Sequence, residues 1–155
     1  MEQQSPRVDS SITALVVDDS TTLRRLMELI LVPLGVNIDF VDSGERAVAL
    51  SRQKSYDIVF LDILLPGIDG YRVCKTLKGD ARTKATRIVM LTSKGSAVDK
   101  VRGMMAGTDV YLTKPVDRID LIRAIDKCLP RFDFARKAFP ALAGTHGGGL
   151  PQFNR

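Results

Sequence analysis

The sequence predicts an α/β domain in which a five-stranded parallel sheet carries helices on both faces. Short apolar runs of strand length alternate with segments whose apolar residues recur every three or four positions, as they do on a helix. Polar residues follow four of the apolar runs, and ligands of such sheets bind at the carboxyl ends of the strands. The alternation therefore predicts both the fold and the edge of the sheet that carries a functional site.

Each element is predicted from its apolar pattern and from the turn residues that bound it. The predicted strands are residues 12–17, 36–41, 57–61, 88–91 and 110–112. The predicted helices are residues 23–31, 44–50, 70–77, 96–106 and 119–129. Ser20 or Thr21 can cap the first helix, and Pro33 and Gly35 mark its end.

Length and composition predict one globular domain with flanking segments. The chain has 155 residues, of which 45% are hydrophobic and 26% charged. We expect a disordered N-terminus at 1–11, a folded domain at 12–129 and a flexible basic tail at 130–155, where Pro and Gly are frequent. Cys74 and Cys128 fall among apolar helix neighbours, which indicates packing thiols and no disulfide framework.

Several functional classes are disfavoured by the same composition. No apolar run approaches the roughly 20 residues that span a bilayer, and the N-terminus lacks a signal-peptide pattern, so we expect a cytoplasmic protein. Much of the net charge of +5 comes from residues 130–155. Because no nucleic-acid-binding pattern accompanies that charge, we expect no nucleic-acid partner.

Three acidic residues follow two of the predicted strands. Asp18 and Asp19 come after the first strand, and Asp62 comes after the third. Carboxylates that converge repel one another, so such a site favours a cation, and Mg²⁺ suits a site with few protein ligands. The alternative is that Asp18 and Asp19 only cap the following helix.

Thr92 and Lys114 follow the fourth and fifth strands. With Mg²⁺ present, the Asp62 carboxylate could attack a phosphoryl group and form an acyl phosphate. The Lys114 ammonium and the Thr92 hydroxyl could bind the phosphoryl oxygens, which is most of what phosphoryl transfer requires. The alternatives are a helix cap for Thr92 and a solvated turn residue for Lys114.

Five segments together resemble the receiver domain of bacterial two-component response regulators over about residues 11–129. They are residues 16–20, 59–63, 65–70, 90–93 and 107–115. The resemblance implies a flavodoxin-like, doubly wound (βα)5 fold with strand order 2-1-3-4-5. It also implies that Asp62 accepts a phosphoryl group from a histidine kinase or a histidine phosphotransfer protein.

The resemblance further implies a role for each residue at the strand ends. Asp19 and Asp62 would bind Mg²⁺ directly together with the backbone carbonyl of Leu64, and Asp18 would act through water. Lys114 and Thr92 would hold the phosphoryl group.

A conformational switch is implied by the same resemblance. Thr92 would move toward the phosphoryl group and the ring of Tyr111 would follow inward, although Tyr111 could also be an ordinary half-buried strand residue. The peptide bond between Lys114 and Pro115 is expected to be cis. The output partner is unknown; it would bind the face formed by the fourth helix, fifth strand and fifth helix, which could also form a phosphorylation-dependent homodimer.

The fourth predicted helix carries apolar residues on more than one face. If Val98, Val101 and Met105 face the core, then Met104 lies on another face, where it could contact a partner. The alternative is that both methionines fill the core.

Two positions bear on the lifetime of the phosphoryl group. Leu64 lies two residues after Asp62, and Lys94 lies two residues after Thr92. Both side chains would flank the path of a hydrolytic water. Because Leu64 has no polar group to orient that water, we expect slow self-dephosphorylation.

The favoured interpretation is a stand-alone regulator, similar to those of chemotaxis and of type IV pilus twitching motility, which signals by protein contact. It could instead be a phosphorelay intermediate or a phosphate sink, or a receiver fold used as a constitutive docking module. A haloacid-dehalogenase-type phosphatase is a weaker alternative. That class needs a second carboxylate at the position where this chain has Leu64, and the acid pair of that class comes late in the sequence, whereas Asp18 and Asp19 come early.

Overall fold

The computed structural model describes residues 11–93, 101–102, 104 and 106–139. The strands are β1 (Ile12–Val17), β2 (Val36–Val41), β3 (Ile58–Asp62), β4 (Arg87–Thr92) and β5 (Val110–Thr113). The helices are α1 (Thr21–Leu31), α2 (Gly44–Gln53), α3 (Gly70–Gly79), α4 (helical at residues 101, 102, 104 and 106), α5 (Arg118–Cys128) and α6 (Phe134–Ala138). Short 3₁₀ turns lie at Val32–Leu34 and Pro130–Phe132.

The five strands form one parallel sheet in the order β2-β1-β3-β4-β5. Successive residues of a strand point to opposite faces of the sheet, so each strand contributes to two cores. One core packs against α1 and α5, and the other against α2, α3 and the buried Ala106 of α4. The predicted doubly wound fold and its strand order are confirmed.

The register of the sheet places the predicted site residues side by side. Val17 pairs with Leu61, so Asp18 and Asp62 follow paired positions on neighbouring strands. On the other side of β3, Asp62 pairs with Leu91 of β4, the residue before Thr92. Thr92 in turn pairs with the residue before Lys114. Four different strands therefore present their polar ends to one crevice at the carboxyl edge.

Helix α4 differs in part from its predicted orientation. Val101 is 56% exposed, so its predicted position in the core is wrong. Met104 is 73% exposed, in agreement with a position on another face of the helix. The pattern misled because Val101 has an apolar spacing that fits either face. Val98, Met105 and Lys94 lie outside the described residues.

The segment after α5 differs from the predicted flexible tail. Residues 130–139 form a 3₁₀ turn and α6, and the side chain of Phe134 has no exposed surface. Phe134 joins the core on the α1 and α5 side of the sheet. Phe132 and Phe139 are partly buried and pack against the same core. The remainder of the predicted tail, residues 140–155, lies outside the described part of the chain.

Polar contacts fix α6 along α5. The carboxylate of Asp126 accepts hydrogen bonds from the backbone N–H groups of Phe134 at 2.6 Å and Ala135 at 2.9 Å. At the other end, the Arg118 guanidinium donates to the carbonyl of Ala138 at 3.3 Å and lies over the Phe139 ring. The contacts run from the last turn of α5 back to its first residue, so α6 is antiparallel to α5.

Both cysteines are free and buried, as predicted. Burial raises the pKa of the Cys128 thiol to about 11, and it also raises the pKa of Cys74. Thiols with raised pKa values are poor nucleophiles, which fits a packing role. Within the described ranges, no helix has the length and apolar character to span a bilayer.

Candidate functional site

Three carboxylates meet at the carboxyl edge of the sheet. Asp18, Asp19 and Asp62 each place a carboxylate oxygen within 4.8 Å of the others. Asp18 is fully buried and Asp62 nearly so, whereas Asp19 is exposed. The sequence prediction that these three side chains converge is confirmed by this geometry.

Lys114 lies between the two buried carboxylates. Its ammonium donates to Asp18 Oδ2 at 2.8 Å and to Asp62 Oδ2 at 3.0 Å. Buried charges need such partners, because removal from water costs several kcal/mol for an isolated ion. Lys114 was predicted to face the site, and the structure brings it into direct contact with two of the acids.

Asp18 is committed to contacts within the protein. Its Oδ1 accepts the backbone N–H of Ser20 at 2.7 Å, and its Oδ2 accepts the Lys114 ammonium. Ser20 is the N-cap of α1 and accepts the N–H of Leu23 at 3.3 Å. The backbone carbonyl of Asp18 also accepts from Arg24 Nε at 3.2 Å. Asp18 therefore orients the site from within the fold, while Asp19 faces solvent.

Both oxygens of Asp62 have hydrogen-bond donors. Oδ1 accepts the backbone N–H of Leu64 at 3.0 Å, and Oδ2 accepts Lys114. The Leu64 side chain is 73% exposed, so the residue contributes its backbone to the site and presents its apolar side chain to solvent.

Burial dominates the electrostatics of Asp62. Burial raises the pKa of Asp62 above its ordinary value, and the Asp18 charge acts in the same direction. Hydrogen bonds from Lys114 and Leu64 oppose that shift without cancelling it. Burial alone would lower the pKa of Lys114, but its hydrogen bonds to Asp18 and Asp62 raise it. Any further positive charge nearby would stabilise the ionised form of Asp62 and lower its pKa.

The remaining predicted residues border this cluster. Thr92 is buried at the end of β4, and Tyr111 is half-buried in β5. The peptide bond between Lys114 and Pro115 is cis, the isomer that the resemblance implied. It follows β5 directly, at the point where the chain turns toward α5.

The donor set fits a hard divalent cation. Carboxylate oxygens from three residues, one of them exposed, can supply a few ligands and leave room for water, as Mg²⁺ requires. Within the described ranges the cluster offers no sulfur or imidazole ligand, which disfavours softer metals.

The loop between β3 and α3 has a contact that sequence reasoning missed. Glu45, in the first turn of α2, accepts the backbone N–H of Ile68 at 2.9 Å. Gly67 has φ +77°, a left-handed conformation that other residues rarely adopt. The separation of 23 positions between Glu45 and Ile68 leaves no local pattern that could have predicted this pair.

Comparison with known proteins places this chain in a family. Residues 14–126 match the model of the response regulator receiver domain. Protein PilG of Pseudomonas aeruginosa is 37% identical over 132 residues, which cover 85% of this chain and 95% of PilG. Most of the folded domain is thus shared with a relative of similar length.

Solved structures share the same fold. The chemotaxis protein CheY4 of Vibrio cholerae gives a TM-score of 0.72 at 25% identity, over 76% of this chain and 98% of CheY4. The receiver domain of the sensor histidine kinase PA1611 of Pseudomonas aeruginosa gives 0.71 at 27% identity, over 77% of this chain and 98% of that domain. Its magnesium ion is coordinated in the active site cleft. Sequence, topology and acidic cluster lead to one conclusion: the chain belongs to the response regulator receiver domain family.

Proposed function

We propose that this protein is a phosphoacceptor of a two-component system and that Asp62 takes the phosphoryl group. The observation that carries the proposal is the contact of one ammonium, that of Lys114, with both Asp18 and Asp62 at the ends of neighbouring strands. That arrangement supplies a nucleophile and a fixed positive charge in one crevice. Phosphoryl transfer depends mainly on such positioning and charge.

The transfer itself exchanges one bond to phosphorus for another. An oxygen of the Asp62 carboxylate attacks the phosphorus of a phosphohistidine on the donor protein, and the P–N bond breaks as the O–P bond forms. The P–N electron pair stays on the imidazole nitrogen, and the product is an acyl phosphate on Asp62. Lys114 then donates to the new phosphoryl oxygens, since it already donates to Asp62. The buried Thr92 hydroxyl binds another of these oxygens.

Mg²⁺ would be held by Asp19, Asp62 and the backbone carbonyl of Leu64, with Asp18 acting through water. The exposed position of Asp19 and the internal partners of Asp18 support this division. The receiver domain of PA1611, with its coordinated magnesium ion, supports the choice of metal. When bound, Mg²⁺ supplies positive charge that screens the approach of two anions.

The new phosphate acts as a signal through a change of surface. Thr92 and Tyr111 lie on β4 and β5, so a shift of Thr92 toward the phosphate allows the half-buried Tyr111 ring to follow. The face formed by α4, β5 and α5 would then bind an output protein or a second copy of the chain. The exposed Met104 of α4 offers an apolar contact there.

The similarity to PilG and CheY4 supports a regulator of the chemotaxis or pilus type that works in the cytoplasm. Its donor would be a histidine kinase or a histidine phosphotransfer protein, and a role as phosphorelay intermediate or phosphate sink would use the same chemistry. A haloacid-dehalogenase-type phosphatase is disfavoured because Leu64 cannot act as an acid or a base. The protein would thus be a signalling phosphoacceptor and not an enzyme with turnover.

Acetyl phosphate with Mg²⁺ tests the proposal. We expect the wild-type protein to gain one phosphoryl group by intact mass, and Asp62→Asn to gain none under the same conditions. Steady release of phosphate without a lasting acyl phosphate would indicate a phosphatase instead. Absence of both Mg²⁺ binding and phosphate gain would indicate a constitutive docking module. A pull-down that compares wild type with Asp62→Asn, with a phosphate mimic, would then identify the output partner.

A further inference from the structure

The backbone of Leu64 matters to the site in two ways. Its N–H donates to Asp62 Oδ1 at 3.0 Å, and under the proposed function its carbonyl binds Mg²⁺. Both groups belong to the loop between β3 and α3, so the position of that loop sets their distance from Asp62. A contact that fixes the loop therefore bears on metal binding and phosphorylation.

The end of the loop next to α3 is fixed by close backbone packing. Gly70 N–H donates to the carbonyl of Ile63 at 3.0 Å. A Cβ at Gly70 would collide with the Asp62 carbonyl oxygen and would lie 2.9 Å from Ile63 Cα. This end of the loop thus touches the strand that carries Asp62.

The middle of the loop is fixed by a side chain from another element. Glu45 of α2 accepts the Ile68 N–H at 2.9 Å, and its carboxylate lies against Gly67. The hydrogen bond from Ile68 lowers the pKa of Glu45, so the carboxylate stays ionised and remains a strong acceptor near neutral pH. The contact joins α2 to the loop that follows the phosphoacceptor.

We propose that Glu45 is a positioning residue of the phosphorylation site, which holds the loop so that the Leu64 backbone keeps its place beside Asp62. The inference rests on the proposed function of Asp62. Glu45 itself touches neither Mg²⁺ nor phosphate in this scheme. It acts through Ile68 and the loop, as outer residues do when they orient the direct ligands of a metal.

Glu45 has a second favourable feature that must be separated from this role. It lies in the first turn of α2, where a negative charge stabilises a helix. That effect requires the charge, whereas the contact with Ile68 requires an acceptor oxygen. Glu45→Gln removes the charge and keeps the oxygen, and Glu45→Ala removes both. Glu28→Ala is the matched control, since it removes an exposed acid from α1 whose partner is Arg25.

The experiment measures two properties of these variants. Amide hydrogen exchange of Ile68 in Mg²⁺-free protein reports on the contact itself, and calorimetric titration with MgCl₂ reports on its consequence. We expect faster exchange at Ile68 in Glu45→Ala, and Mg²⁺ binding weakened by about threefold, which is less than the roughly tenfold or more that follows loss of a partner bonded directly to a metal ligand. Glu45→Gln should keep the exchange rate at Ile68 and the Mg²⁺ affinity close to those of wild type, and Glu28→Ala should change neither.

Each other outcome decides against the inference. If wild type binds Mg²⁺ and Glu45→Ala binds it equally well, the positioning role is wrong while the proposed function stands. If Glu45→Gln is as impaired as Glu45→Ala, the helix charge explains the effect. If wild type neither binds Mg²⁺ nor accepts phosphate from acetyl phosphate, the proposed function fails, and the role of Glu45 fails with it.

Discussion

The ammonium of Lys114 lies 2.8 Å from a carboxylate oxygen of Asp18, a residue with no exposed surface. The same ammonium contacts Asp62, so it neutralises the site from within the protein. A bound cation and Lys114 would therefore compete for the same negative charge. This competition leads to a prediction about stability as well as about binding.

Lys114→Met should destabilise the metal-free protein by about 1–3 kcal/mol, because it leaves a buried carboxylate without its partner. The variant should also bind Mg²⁺ more tightly than wild type, since the site loses a positive charge. Urea unfolding with and without MgCl₂ measures both effects. A ligand at 100 times its dissociation constant adds about 2.7 kcal/mol to stability, so the gain is measurable.

Lys54→Met is the matched control for this prediction. It removes an ammonium that lies 2.7 Å from Asp39, on an exposed ion pair away from the site. Its stability should change little, and its response to Mg²⁺ should equal that of wild type. Equal Mg²⁺ affinities for Lys114→Met and wild type would contradict the competition.

Leu64→Asn should shorten the lifetime of the acyl phosphate on Asp62. Leu64 follows Asp62, the proposed phosphoacceptor, by two residues and its side chain is exposed, so an amide there could orient a hydrolytic water. One hydrogen bond is worth about 1 kcal/mol, so we expect roughly fivefold faster loss of phosphate. The decay of phosphoprotein after removal of acetyl phosphate measures the rate. Leu64→Ala separates the amide from the loss of apolar bulk, and an unchanged rate in Leu64→Asn would contradict the idea.

Phe134→Ala should destabilise the domain by about 3 kcal/mol, the cost of deleting a buried aromatic side chain. Phe139→Ala is the control, because Phe139 is only half-buried and lies over the Arg118 guanidinium at 5.1 Å. It should cost about 1 kcal/mol or less. Urea unfolding of both variants gives the comparison. Similar small losses would show that α6 adds nothing to the core.

Asp109 should make the stability of the fold depend on acid pH. Its carboxylate accepts hydrogen bonds from the Ile88 N–H at 2.8 Å, Lys78 at 2.9 Å and Arg87 at 3.3 Å. Burial alone would raise the pKa of Asp109, but the hydrogen bond of Ile88 and then those of Lys78 and Arg87 lower it on balance. The folded-state pKa of Asp109 lies below its unfolded-state pKa. The stability that ionised Asp109 contributes is therefore fully present above the unfolded-state pKa, and it is lost as pH falls through the folded-state pKa.

Asp109→Asn should therefore cost about 1–2 kcal/mol at neutral pH, with the difference from wild type shrinking below about pH 4, near the unfolded pKa of aspartate. Urea unfolding from pH 7 to pH 3 measures this difference. Glu28→Gln, which alters an exposed ion pair on α1, should give a small difference throughout. A constant difference between Asp109→Asn and wild type across that range would contradict the assignment.

The sheet and most of the candidate site could be predicted because their signals are local. Each buried parallel strand is an apolar run, and its carboxyl end coincides with a polar residue such as Asp18 or Lys114. Parallel strands bring those ends to one edge, so the sequence predicted that Asp18, Asp62 and Lys114 converge. It could not predict that Lys114 contacts both acids, because that depends on the length and direction of one side chain.

The errors arose where burial depends on distant partners. Phe134 lies in a segment rich in basic residues and proline, which predicted a tail, yet α5 and the turn at Val32–Leu34 provide a surface for α6. Val101 has a spacing that fits two faces of a helix, and the sequence alone does not say which face meets the sheet. The contact of Glu45 with Ile68 joins two elements that have no common sequence pattern.

The antiparallel course of α6 decides where attachments to this protein come to lie. Ser11 precedes the amino end of β1, whereas Phe139 lies over Arg118, the first residue after the turn that follows Lys114 and Pro115. A fluorophore or affinity label on Ser11 would be at the edge of the sheet opposite to the acidic cluster. A label at Phe139 would be next to the first residue of α5, on the side of the domain toward the carboxyl edge of the sheet.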